Sequence, residues 1–139
     1  MKAFASAVFL FTLAAVASSA QTSRSIWDGV FTDSQATRGD TLYRASCASC
    51  HGTDLNGGEM APALRGGTFT SNWNDLALSE LMDRIYQTMP ANAPESLSRT
   101  QSVDILAFLL RSGGFPTGGL ELSPDAANLQ QVKFLASNP

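Results

Sequence analysis

Apolar residues fall into runs of different kinds along the chain. The first, Ala3 to Val16, is uncharged and has no period; it follows Lys2 and ends at Ser18-Ser19-Ala20. A positive start, an apolar stretch and small residues at the −3 and −1 positions make a secretory signal peptide, cut after Ala20. The run is shorter than the roughly 20 apolar residues a bilayer span needs. No later segment is longer, so residues 21–139 are expected to hold no membrane span. The later runs have helical spacing. Thr32-Asp33-Ser34-Gln35 reads as a capping box and opens a helix to about Ser46, with Gly39 and Tyr43 on one face. A second helix is expected over Leu78 to Thr88, with Leu81 and Ile85 on the buried side. A second capping box, Ser98-Arg99-Thr100-Gln101, starts a helix to about Ser112 that carries Val103, Leu106, Leu109 and Leu110 on one face. Ile105 and Phe108 lie beside that face, and Gly113-Gly114 ends the helix with a left-handed cap.

Between these helices the pattern is weaker. Residues 51–70 read as loop, with five glycines, Pro62 and no regular apolar period. Ser123-Pro124-Asp125 starts a short terminal helix, with Ser123 as N-cap and Pro124 at the first helical position. The apolar Val132 to Leu135 is placed to dock back on the domain. Residues 21–32 form an N-terminal arm, in which Trp27 and Phe31 either pack on the domain surface or mark a flexible segment. The division is therefore a signal peptide, 1–20, an arm, 21–32, and one all-α domain, 33–139.

Composition narrows the classes. The chain is 139 residues long, 44% hydrophobic and 15% charged, with a net charge of −3. Losing Lys2 with the leader makes the remainder more acidic still. With no Lys/Arg run, the electrostatic footprint of nucleic-acid binding is missing. Two cysteines exclude a disulfide-rich scaffold. A domain this small buries a modest core and gains from a cofactor that adds apolar surface.

Both cysteines and the single histidine lie in one pentapeptide, Cys47-Ala48-Ser49-Cys50-His51. This is the C-x-x-C-H attachment signature of c-type haem. Two thiols three positions apart can each add to one haem vinyl group, and the next residue sets an imidazole against the iron. Export suits this, because covalent attachment occurs beyond the inner membrane. A Cys47–Cys50 disulfide is permitted by export but leaves His51 without a purpose. A thioredoxin-like site expects a βαβ pattern, which is absent from the sequence. Structural zinc needs four ligands and the chain offers three Cys/His residues.

One histidine rules out bis-histidine ligation within the chain. The sixth ligand is then a methionine, something weaker, water or nothing. Met60 follows His51 by only nine residues, a short path to the other haem face. Met82 sits inside a helical pattern, where methionine usually fills core. Met89 precedes Pro90, which cannot continue a helix, and so lies where a loop begins. Met89 is the favoured ligand; the competing reading has Met89 in the core and a five-coordinate iron.

These features together resemble a class I c-type cytochrome across nearly all of the mature chain. The resemblance rests on the helix with Gly39 and Tyr43, the Cys47-Ala48-Ser49-Cys50-His51 motif and Ala61-Pro62-Ala63-Leu64. It extends to the helix leading into Met89-Pro90 and to Asp104-Ile105-Leu106-Ala107-Phe108. It implies the all-α cytochrome c fold, a small helical domain around one haem c bound through Cys47 and Cys50, with His51 and Met89 on the iron. It implies that the first and last main helices cross at right angles, Gly39 and Tyr43 meeting Ile105 and Phe108. It also implies that the Pro62 carbonyl accepts the Nδ1–H of His51, that Leu64 packs on the haem face and that Trp73 sits near a propionate. Pro62 as a loop stiffener and Trp73 as plain core are the competing readings. More narrowly, Met89-Pro90, Pro94-Glu95-Ser96-Leu97-Ser98 and Gly113-Gly114-Phe115-Pro116 resemble the monohaem cytochromes associated with bacterial quinoprotein (PQQ) dehydrogenases. Family members often have Gly where this chain has Glu95.

Two functions are weighed. A closed His/Met iron suits one-electron transfer at the haem edge and denies oxygen a place to bind. Donor and acceptor would be redox proteins, a dehydrogenase and an oxidase or another cytochrome, meeting a periplasmic monomer in transient complexes. The acidic balance favours a basic partner surface. A cytochrome subunit held inside a dehydrogenase complex is a variant of this reading. The alternative is a haem enzyme or gas or peroxide sensor with an open distal site. That needs a distal base, and the sequence offers none better than Arg84 or Tyr86.

Overall fold

The computed structural model describes residues 24–139. The signal peptide and its cut after Ala20 lie outside them. The elements, in chain order, are β1 (Arg24–Ser25), α1 (Asp33–Ser46), α2 (Ala48–His51), α3 (Gly66–Trp73), α4 (Leu78–Thr88), α5 (Arg99–Ser112), α6 (Ala126–Gln130) and β2 (Val132–Lys133). None of these helices is long and apolar enough to cross a membrane.

The three long helices form where the spacing predicts them. Thr32 caps α1, its hydroxyl accepting from the Gln35 N–H at 3.1 Å. The full capping box forms at α5: the Ser98 hydroxyl accepts from the Gln101 N–H, and the Gln101 side chain accepts from the Ser98 N–H. α4 buries Leu78, Leu81, Met82 and Ile85, the single stripe of an amphipathic helix. α5 is different, because Ser102 to Leu110 are all buried. It is the central rod of the domain. Its end is a Schellman motif: Phe115 N–H reaches Leu110 C=O, Gly114 N–H reaches Arg111 C=O, and Gly114 takes φ +86°.

α1 packs along α5 at very short range. A methyl group built on Gly39 would lie 1.9 Å from the Asp104 carbonyl oxygen and 2.9 Å from Phe108 Cβ. One turn on, the Tyr43 ring meets the Phe108 ring at 5.1 Å between centroids. Phe108 therefore takes its expected place, while the atom against Gly39 belongs to Asp104 rather than Ile105. Arg38 on α1 bridges Asp104 on α5, at 3.0 and 3.1 Å, and Glu121 in the loop beyond. Arg111 binds Asp33 farther along the same contact.

Three expectations are corrected. The segment set apart as an arm is built into the core from Arg24 onward: Ile26, Val30 and Phe31 are buried. β1 pairs in parallel with β2, and the Trp27 indole N–H donates to Leu135 C=O at 2.9 Å. Val132 and Phe134 are buried in turn, so the C-terminal run docks as expected, with the N-terminal segment as a partner. Second, the stretch read as loop to residue 70 contains the start of α3. Phe69 and Trp73, four apart, share one face, and Phe69 packs edge-on against Phe134. Third, α6 is capped by Asp125, which accepts from the Asn128 N–H, so Ser123 and Pro124 precede the helix.

The C-terminal loop is fixed to α1 by one buried amide. Gln35 Nε2 donates to Leu122 C=O at 2.9 Å, and Leu122 N–H donates to Gln35 Oε1 at 2.8 Å. Truncation in Gln35→Ala leaves a donor and an acceptor without partners. The expected loss is about 2–3 kcal/mol, given the cost of an unsatisfied buried group. Denaturant unfolding of the variant checks this; an unchanged midpoint would show that water replaces the amide.

Candidate haem-binding site

The site is built at the end of α1. The helix closes with the Cys47 N–H on Tyr43 C=O at 2.8 Å, and the backbone then makes the single turn α2 before Gly52 leaves at φ +81°. Cys47 is half-buried, Cys50 is exposed, and both are free thiols. Burial, with the neighbouring Cys50 second, pushes the Cys47 thiol up to about 11. It is therefore protonated at neutral pH and a weak nucleophile on its own. Tyr43 is likewise pushed up to about 12, chiefly by burial. Its hydroxyl keeps its proton and donates to Gly52 C=O at 2.7 Å, tying α1 to the residue after His51.

His51 is buried, and its Nδ1 lies 2.8 Å from the Pro62 carbonyl oxygen. A carbonyl can only accept, so Nδ1 carries the proton. In the neutral imidazole Nε2 then presents its lone pair. Among the described residues Nε2 has no hydrogen-bond partner. The ring is held in the tautomer and orientation a metal ligand needs, with the supporting bond that raises ligand basicity. The Pro62 carbonyl thus makes the contact with the His51 ring that the resemblance implies.

The other expected residues are placed as follows. Leu64 is half-buried against the core, and its N–H donates to Leu55 C=O. Trp73 is half-buried at the end of α3 and lines an open groove with Glu80, Asp83, Arg84, Gln87 and Thr88. The three methionines differ sharply. Met60 is 82% exposed, Met82 is fully buried in the core, and Met89 is half-buried at the C-cap of α4 in extended backbone. Met82 is the core filler its spacing suggests, and Met89 stands where α4 hands over to a loop. Of the candidate distal bases, Arg84 is exposed, and the Tyr86 ring is covered by the Arg99 guanidinium at 5.1 Å.

Sequence reasoning missed Leu55 and Gly57, both between His51 and Pro62. Leu55 is buried with φ +63°, a left-handed conformation that is uncommon for a leucine. The spacing of glycines signals freedom there but gives no hint of what the loop must touch. Two free thiols flanking a turn, an imidazole with its Nε2 lone pair available and a thioether at a helix end fit haem c. Cys47 and Cys50 would hold it by thioethers, and His51 and Met89 would ligate its iron.

Comparison with known proteins agrees with this geometry. The family described as cytochrome C oxidase, cbb3-type, subunit III matches residues 34–109, from the start of α1 through most of α5. The chain belongs to this cytochrome c family. The matched span contains Cys47, Cys50, His51, Pro62, Leu64, Trp73 and Met89. Over 105 residues the chain is 32% identical to the cytochrome bc1 complex cytochrome c subunit of Corynebacterium efficiens, covering 68% of this chain and 33% of that protein. It also resembles a chain of the sulfane dehydrogenase SoxCD from Paracoccus pantotrophus, with a TM-score of 0.51 and 26% identity over 78% of this chain and 61% of that one. This cytochrome c domain thus spans a third of the curated relative's length and less than two thirds of the solved chain's. Its fold is the small all-α cytochrome c fold, and family membership implies covalently bound haem c and a role in electron transfer.

Proposed function

We propose that this cytochrome is a periplasmic monohaem carrier, passing single electrons from a dehydrogenase to an oxidase or another cytochrome, with His51 and Met89 as axial ligands. The observation that carries the reading is the His51 ring, locked by Pro62 with Nε2 left for a metal. The haem supplies one-electron chemistry when bound. The chain's own residues do the rest. Cys47 and Cys50 fix the group, Pro62 keeps the imidazole basic, and Met89 closes the second axial position, which raises the potential. The Tyr86 ring is covered by the Arg99 guanidinium and Arg84 is an exposed side chain on α4, so neither is a buried base, which supports a carrier over an open-site enzyme or sensor. The leader sequence supports export. The two relatives are named as parts of redox assemblies, a bc1 complex and a dehydrogenase, which supports redox-protein partners. A quinoprotein (PQQ) dehydrogenase is the donor that the Met89-Pro90 and Gly113-Gly114-Phe115-Pro116 segments favour.

Visible spectra of wild type and Met89→Ala, matured with the leader, test the ligation. The wild type should be low-spin, with a weak far-red sulfur-to-iron band in the ferric state; the variant should lose that band, turn high-spin and bind carbon monoxide when reduced. A high-spin wild type that binds carbon monoxide and is indifferent to the substitution would replace the carrier with an open-site enzyme or sensor.

A further inference from the structure

Gly57 touches both ends of His51. Its N–H donates to the His51 carbonyl at 2.9 Å. Its Cα rests against the peptide whose carbonyl receives the His51 ring proton: a methyl group on Gly57 would lie 2.6 Å from Pro62 C, 2.5 Å from Ala63 N and 2.7 Å from Ala61 O. All three are backbone atoms, so no side-chain rotation relieves the collision. The segment is clasped on either side. Gly58 N–H donates to Ala61 C=O at 2.9 Å, and Leu64 N–H donates to Leu55 C=O at 2.8 Å. Chain 55–58 and chain 61–64 therefore run side by side, and Gly57 is the point where their backbones meet. Gly57 also takes φ +73°, a conformation that costs glycine little. Gly58 beside it and Gly66, at φ +81°, have open space where a side chain would go.

We propose that Gly57 is a positioning residue for the axial imidazole, setting how closely the Pro62 carbonyl approaches His51 and so how basic the ligand is. The inference rests on the reading of His51 as the iron ligand. A Nδ1–H held by a carbonyl gives the ring partial imidazolate character and favours ferric iron. A side chain at Gly57 pushes the Pro62–Ala63 peptide away, weakens that bond and raises the reduction potential. Of the two flanking hydrogen bonds, Leu64 N–H to Leu55 C=O lies outside the collision, while the Ala61 oxygen that accepts from Gly58 N–H lies 2.7 Å from the added methyl and shifts with the same backbone.

The test compares holoprotein carrying Gly57→Ala or Gly57→Asn with Gly66→Ala, which adds backbone strain at positive φ without a collision. Asparagine tolerates left-handed backbone, so Gly57→Asn isolates the collision from the strain. Two readouts are taken: reduction potential by redox titration, and exchange of the His51 Nδ1 proton by NMR of the reduced protein. Both Gly57 variants should exchange that proton about tenfold faster, the equivalent of one hydrogen bond lost, and should have raised potentials. Gly66→Ala should match wild type in both. Gly57 variants indistinguishable from Gly66→Ala, in a protein whose spectrum shows histidine ligation, overturn the inference and leave the proposed function standing. A wild-type spectrum without histidine ligation fails that function first. Should neither Gly57 variant hold haem, the wild type decides. Its Nδ1 proton and its Gly57 amide should exchange through one opening with the same denaturant dependence; separate openings overturn the inference.

Discussion

Replacing Gly39 by alanine is expected to lower stability by about 3 kcal/mol and the melting midpoint by more than about 10 °C. Two effects compete. Alanine is the better helix former by about 1 kcal/mol, which favours the variant wherever the position is open. Here the added carbon would sit 1.9 Å from a backbone oxygen of α5, so the helices must separate by well over an ångström. Separation breaks more than the contact itself. It loosens the Tyr43–Phe108 ring pair, and it strains the Arg38 bridge to Asp104, a carboxylate that α5 holds almost wholly buried. The collision wins. Circular dichroism melting of holoprotein gives the answer, with Gly67→Ala as a control because open space surrounds that glycine. A Gly39→Ala protein that melts at or above wild type would mean the two helices do not depend on close approach.

The same glycine shows what the sequence makes legible. A Gly on the same helix face as Tyr43 announces a close crossing, and two capping boxes fix where α1 and α5 begin. Cys47, Cys50 and His51 sit in five consecutive residues, so their chemistry is written locally. Pro62 is different: only the family resemblance points to its carbonyl, because nothing in an eleven-residue loop separation distinguishes an acceptor for His51 from a loop stiffener. The misses are all contacts over long separations or reasons hidden in backbone. Ile26, Val30 and Phe31 have no helical period, and their fate depends on pairing β1 with β2 more than a hundred residues on. α3 starts at two glycines and buries only Phe69, so no apolar stripe marks it. Asp125 and Ser123 are both good caps, and Asp125, next to Ala126-Ala127, takes the position. In the sequence Gly57 is one of five glycines in an unpatterned loop, and the Ala61–Ala63 backbone lying against it is legible only in the fold.

Removing both thiols, in the Cys47→Ala, Cys50→Ala double variant, is expected to abolish covalent haem attachment altogether. Stained denaturing gels should show no haem migrating with the polypeptide, where wild type shows one haem-bearing band. The consequence for stability should also be large. A group that binds only the folded chain stabilises it in proportion to how tightly it is held, by about 1.4 kcal/mol for each tenfold in affinity. Thioethers make that group inseparable from the chain; without them only axial ligands and packing retain it. The single variants should differ from one another. Cys47 is packed against the core and Cys50 is exposed. Cys50→Ala therefore removes one bond alone, while Cys47→Ala removes a bond and buried contact, so it should melt lower. Each single variant should keep one thioether, and its alkaline pyridine spectrum should shift to longer wavelength because one vinyl group stays unsaturated. Covalent haem persisting in the double variant would place attachment elsewhere and undo the assignment of Cys47 and Cys50.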